Sequence, residues 1–326
     1  MIVPDYWAEA RKQHREKNKQ VTVRRFGWST LNQAEAEAMA ESRVADALMR
    51  ILSGEKLPRQ ENKTAYNGAF GVPIREEVLF RQGEEVITRN SYGAHCLNTP
   101  RVLFADVDFA LERSGRVALV TCALLTAVAG VAGLHYGRWP LVIVLLLISF
   151  SVVPPVIARL ARTSQAAREK AERSARERVE QFVKQHSEWN LKIYETPAGL
   201  RLLATHRPFD PAEAEVKQFF EAVGTDPVYV QMCTNQKCFR ARLTAKPWRI
   251  GISQHMRPRP GTWPVHPDRL PFRQQWVEHY EKVAAGFAAC RFTESLGSGL
   301  IHDDLRGVVE LHDRESRANE SGLTMA

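Results

Sequence analysis

The sequence has no phosphate-cradling G-x-x-x-x-G-K-[ST] loop, no G-x-S-x-G elbow, no H-E-x-x-H and no G-x-G-x-x-G. P-loop, α/β-hydrolase and zincin chemistry therefore have no support, and a dinucleotide-binding Rossmann fold lacks its fingerprint. Cysteine is scarce: five in 326 residues, one of them inside an apolar run, which is not a secreted disulfide scaffold. A zinc site from His95, Cys96, Cys233 and Cys238 lacks the tight ligand pairs zinc motifs use, so free, buried thiols in a reducing cytoplasm are the preferred reading. There is no internal repeat and no low-complexity block. No apolar stretch follows Met1, so no signal peptide is expected and the N-terminal part is expected to stay inside the cell.

What is present is an ordinary globular composition, 44% hydrophobic and 25% charged, with 45 basic against 37 acidic residues and a formal charge of +8. That excludes a mostly disordered or collagenous chain. The negative mean hydropathy excludes a polytopic membrane protein, but not a small anchor.

Two uncharged runs suggest such an anchor. Val117 to Leu134 and Trp139 to Ala158 are separated by only four residues, HYGR. A bilayer core of about 30 Å takes roughly 20 helical residues, so both runs reach the spanning class. Arg113 and Arg116 precede the first, and Arg159, Arg162, Arg168 and Lys170 follow the second; the turn offers Arg138 and His135. The positive-inside rule then implies a two-pass protein of the inner membrane with both termini cytoplasmic and membrane lipid as a partner.

The flanks carry mixed elements. QVTVRRFGWS reads as a short strand, and Asn32 to Gly54 as a helix with Ala36, Met39, Val44, Leu48, Ile51 and Leu52 on its apolar stripe. VLFADVDF reads as a buried strand, LKIYETPAGLRLLAT as two strands joined at Pro197-Ala198-Gly199, and PAEAEVKQFFEAVG as a helix stopped by Gly224. A basic strand region, CFRARLTAKPWRIG, leads into a proline-rich loop. A helix follows with Trp276, Tyr280, Val283, Ala284 and Phe287 on one side. Neither flank alone has a full set of strands. The expected fold is thus an α+β cytoplasmic domain with an inserted two-helix transmembrane hairpin and a charged stalk helix. Its parts are residues 1–115 and 190–315 for the divided domain, 116–158 for the hairpin, 159–189 for the stalk and 316–326 for a disordered tail. Two independent domains on a common anchor are the alternative.

Two constellations could carry chemistry. Asp106 and Asp108 share a strand face, and paired carboxylates can hold Mg²⁺ or Mn²⁺ and bridge to phosphate oxygens; the plain reading is a strand-end cap and an ion pair. Between Asp226 and Asp268 lie Lys237, Arg240, Arg242, Lys246, Arg249, Arg257 and Arg259 with no acid among them. Arg201 on the preceding hairpin could point toward the aspartates. Such a concentration suits phosphate, nucleotide or nucleic acid, or else is a solvated face near anionic lipid. The expected function is binding of a phosphate-bearing or acidic partner through Arg201, Arg240, Arg242, Lys246 and Arg249. The alternative is metal-dependent nucleotidyl or phosphoryl transfer.

The blocks FADVDF, YETPAGLRLL and FRARLTAKPWR resemble those of a family of bacterial membrane-anchored proteins. Their order is also distantly similar to the archaeo-eukaryotic primase (primase-polymerase) superfamily, where a strand bearing Asp-x-Asp precedes a glycine-containing turn and a basic segment. The resemblance implies that Asp106 and Asp108 hold the metal and that Arg201, Arg240 and Arg242 hold a triphosphate. Arg201 stands about where that superfamily has a histidine, and Asp226 is the candidate for a third acid.

Overall fold

Two strands, β1 (Tyr6–Glu16) and β2 (Lys19–Ser29), pair antiparallel from Tyr6 opposite Ser29 to Glu16 opposite Lys19. The coordinates are a computed structural model describing residues 3–16, 19–61, 73–109, 115–137, 139–163, 165–259 and 263–326. Helix α1 (Gln33–Leu52) starts where the Asn32 side chain accepts the Glu35 amide at 2.8 Å, an N-cap of the ordinary kind. The face it buries is narrower than the sequence stripe. Ala36, Ala40, Val44 and Ala47 are buried, whereas Met39 and Leu52 are exposed. The small residues win because β2 comes very close: a Cβ on Gly27 would lie 2.1 Å from the Ala36 carbonyl oxygen.

Next come β3 (Glu77–Gln82), β4 (Glu85–Arg89), β5 (His95–Thr99) and β6 (Phe104–Asp108). Helices α2 (Gly115–Tyr136), α3 (Trp139–Thr163) and α4 (Gln165–Gln185) follow. The chain continues through β7 (Asn190–Glu195), β8 (Gly199–Ala204), α5 (Ala214–Val223), α6 (Pro227–Gln236) and β9 (Phe239–Arg242). It ends with α7 (Leu270–Ala284), β10 (Phe287–Ala288), β11 (Arg291–Gly297), α8 (Asp303–Ser316) and β12 (Thr324–Met325). The class is α+β.

The chain divides into two units, residues 108–181 and the remainder. In the larger unit, strand pairing crosses the insertion. One sheet has the order β11-β7-β8-β6 and the other β3-β4-β5-β9. Every residue of β8 is buried, as a central strand requires. An aromatic cluster supports the first sheet: the Trp189 ring, fully buried, stacks on Phe219 at 4.9 Å and meets Phe182 and Phe209. Helix α6 bridges the sheets, with Tyr229 Oη donating to the Phe104 carbonyl of β6 and accepting the Arg240 amide of β9.

In the smaller unit, α2 and α3 form a helical hairpin, with Val142 of α3 against Gly133 of α2. Among the described residues, however, no helix is long and apolar enough to cross a membrane. This corrects the transmembrane hairpin and, with it, the two-pass inner-membrane placement with cytoplasmic termini. Both uncharged runs lie within helices, Val117 to Leu134 in α2 and Trp139 to Ala158 in α3. Alanine, glycine and threonine make up much of α2, while α3 contains Ser149, Ser151, Pro154 and Pro155 and continues through Arg159. Arg113 and Arg138, two of the flanking charges used in the topology argument, lie outside the described residues.

The tail expected to be disordered is ordered. Arg317 caps α8 in the left-handed conformation, the Phe292 amide donates to the Ala318 carbonyl, and β12 runs parallel to β10. Backbone hydrogen bonds and two small buried side chains, Ala318 and Ala326, hold this segment, so its low apolar content does not reveal it.

Candidate functional site

Asp106 of β6 and Arg201 of β8 sit on neighbouring strands. Arg201 Nε reaches Asp106 Oδ1 at 2.9 Å and Nη2 reaches Oδ2 at 3.3 Å, a two-pronged pair, while Nη1 donates to the Arg242 carbonyl at 2.8 Å. Arg201 is 2% exposed and the Asp106 side chain 33%. Burial opposes the Arg201 charge, but the Asp106 carboxylate outweighs it and raises the pKa above its ordinary value. This is a two-pronged ion pair, buried on the Arg201 side and partly open on the Asp106 side.

The layer continues on β7, whose Tyr194 stands opposite Arg201 in register. Tyr194 Oη donates to Asp313 Oδ1 and Lys192 Nζ to Asp313 Oδ2, both at 2.6 Å. His312 Nδ1 lies 3.0 Å from the same carboxylate, and His312 Nε2 lies 4.0 Å from Cys290 Sγ. Burial disfavours every charge here, yet the partners prevail: Asp313 is held below its ordinary pKa by His312, Lys192 and Tyr194, and the Cys290 thiol is lowered by His312. Cys290 and His312 are fully buried. This Cys–His–Asp chain is therefore packed within the core.

Arg240 is spent in the same way. Its Nη2 binds both oxygens of the wholly buried Glu76 at 2.9 and 2.6 Å, and Nη1 binds Asn98. Arg242 donates to the Thr244 carbonyl at 2.7 Å. Lys246 Nζ lies 5.6 Å from the Trp248 ring, and Arg249 ends the short turn Pro247–Arg249. Asp226 caps α6, and its amide donates to the Asp106 carbonyl. Asp108 lies exposed at the end of β6. The structure therefore pairs Asp106 with Arg201, which also reaches the Arg242 carbonyl, while the Arg240 guanidinium is committed to Glu76 and Asn98.

For metal, the donor set at Asp106 does not fit: both oxygens already face a guanidinium that a cation would have to displace. Among the described residues no group of three or more His, Cys, Asp or Glu could hold a metal ion. His95 instead turns its Nε2 to Glu281 at 2.8 Å, and all five cysteines are free and buried.

An open, basic site lies elsewhere. One face of α7 and the loop before it enclose a cleft of about 1120 Å³. Its cations are Arg257 and Arg259 from the loop and Arg269 at the start of the helix; all three are exposed, and none forms an ion pair with a described residue. His255, His279, Phe272 and Trp276 also line it, and no acid does among the described residues. Positions 269, 272, 276 and 279 follow helical spacing, so they share one face. The first turn of α7, beside Arg269 and Phe272, adds the positive end of the helix dipole.

The helix is held firmly. Arg89 Nη1 and His95 Nε2 both reach Glu281 Oε1, at 2.6 and 2.8 Å, and Arg273 Nη2 reaches Glu77 at 2.9 Å. Trp276 stacks on Tyr280 at 5.3 Å, and its Nε1 donates to the Gln254 carbonyl, tying helix to loop. Gly93 allows this: at φ +100°, its absent Cβ would sit 2.3 Å from the Trp276 ring. Arg257 and Arg259 belonged to the basic stretch visible in the sequence. Arg269, Phe272 and His279 lie on a second face of α7, and His255 lies on the loop; none of the four was singled out in the sequence. No family model, curated protein or solved structure matches the chain.

Proposed function

We propose that the protein binds a phosphate-bearing ligand in the cleft between α7 and the 253–259 loop. The observation that carries this reading is three exposed guanidiniums lining one cleft, without an acid among the described lining residues. Guanidinium is planar, permanently charged and matched to phosphate oxygens, which makes Arg rather than Lys the informative residue. The basic character noted in the sequence thus keeps its chemistry but moves to other residues. Arg201 and Arg240 serve the core, while Arg257, Arg259 and Arg269 face solvent.

Tripolyphosphate titrated into the full chain by calorimetry tests this. Binding should weaken with salt and disappear in the triple variant Arg257→Gln/Arg259→Gln/Arg269→Gln. Equal affinity in that variant, or no binding by the native chain, would sink the proposal.

A further inference from the structure

The geometry points to a single-stranded nucleic acid as the ligand, an inference that rests on the phosphate-binding reading and narrows it. A phosphate site needs no aromatic rings, yet this cleft presents two. Phe272 is 68% exposed and lies one helical turn from Trp276, about 6 Å along the axis at 1.5 Å per residue. Two rings on one helix face, flanked by Arg269 on one side and Arg257 and Arg259 across the cleft, form a short stacking platform beside a cationic track. Sequence-tolerant recognition of unpaired bases uses this combination.

A third exposed ring, Trp248, lies outside the cleft lining. Trp248 is 54% exposed and packs edge-on against Tyr92 at 5.2 Å; Tyr92 and Trp276 lie against the same apolar cluster of Ala94, Ile250 and Tyr280. Unpaired bases of a single strand can stack on such rings, whereas a duplex keeps its bases stacked on one another. Three guanidiniums without acid partners favour a polyphosphate backbone over a protein surface, whose charges are of mixed sign.

The test is fluorescence anisotropy on the full chain with a labelled deoxythymidine dodecamer and an abasic strand of the same length. The dodecamer should bind more tightly than the abasic strand. Its log affinity should fall with log salt at about −0.7 per phosphate neutralised, so a slope near −2 is expected between about 50 and 200 mM KCl. Each Arg→Gln change should reduce that slope by about 0.7. Phe272→Leu should weaken the dodecamer about 5- to 150-fold, the range for losing one stacked base, and leave the abasic strand unaffected. Because Phe272 is exposed, that variant should keep the native melting curve. Equal binding of the two strands overturns the inference but leaves the phosphate reading intact. Tighter binding of duplex, or competition by polyglutamate at equal affinity, also overturns it. If neither strand nor tripolyphosphate binds, the phosphate reading itself falls.

Discussion

Asp106→Ala asks whether the Asp-x-Asp strand supports the fold or holds a ligand. Removing the carboxylate leaves Arg201, 2% exposed, with Nε and Nη2 unpartnered and only the Nη1 bond to the Arg242 carbonyl intact. Breaking one side of a buried ion pair costs about 3–5 kcal/mol. The Asp106 side chain is 33% exposed, so water can reach part of the vacated space, and the lower end, about 3 kcal/mol, is expected. Asp106→Asn keeps one acceptor and should lose about 2 kcal/mol, in line with a hydrogen bond to a charged group. Adding Arg201→Leu to Asp106→Ala removes the orphaned charge and should recover most of the loss, because an ion pair replaced by apolar groups is often near neutral. Urea unfolding followed by circular dichroism measures this, with a lower midpoint at unchanged m-value. Millimolar Mg²⁺ should leave the native midpoint where it is, since a bound cation would raise it by mass action. A loss below about 1 kcal/mol for Asp106→Ala, or stabilisation by Mg²⁺, would refute the structural assignment.

Three further outcomes follow from the same packing. His206 is 8% exposed, and burial, with Arg207 beside it, lowers its pKa from 6.5 to about 4. The unfolded chain therefore binds the extra proton between those values, so stability falls as pH drops through that window. About 2 kcal/mol should be lost between pH 7 and pH 5, and His206→Gln should flatten that slope; a slope unchanged in the variant would assign it to other groups. Gly93→Ala forces a side chain into left-handed backbone and against the Trp276 ring; a loss of about 1–3 kcal/mol is expected. A shift in tryptophan emission should accompany it and be absent when Trp276→Phe is added. All five cysteines are buried, so Ellman's reagent should react rapidly only after denaturation; fast native reaction would contradict the packing described.

Local elements were largely written in local sequence. Asn32 before an alanine-rich run starts α1, Gly224 in the left-handed conformation ends α5, and the Pro197-Ala198-Gly199 turn joins β7 to β8. Capping and turn chemistry act over a few residues, so reading a few residues suffices. Strand β1 was missed because Tyr6–Glu16 is mostly polar; pairing with β2 and contact with α1 make it a strand, and such propensity depends on context. The two uncharged runs specified the helices α2 and α3, and among the described residues no helix is long and apolar enough to cross a membrane. Charge partners were decided by tertiary structure alone. Asp106 meets Arg201 across 95 positions, and Glu76 meets Arg240 across 164. Sequence counts how many arginines a segment holds. Which are neutralised in the core and which are left to face solvent depends on carboxylates brought from far away in the chain, and that sorting moved the basic site from Arg201 and Arg240 to Arg257, Arg259 and Arg269.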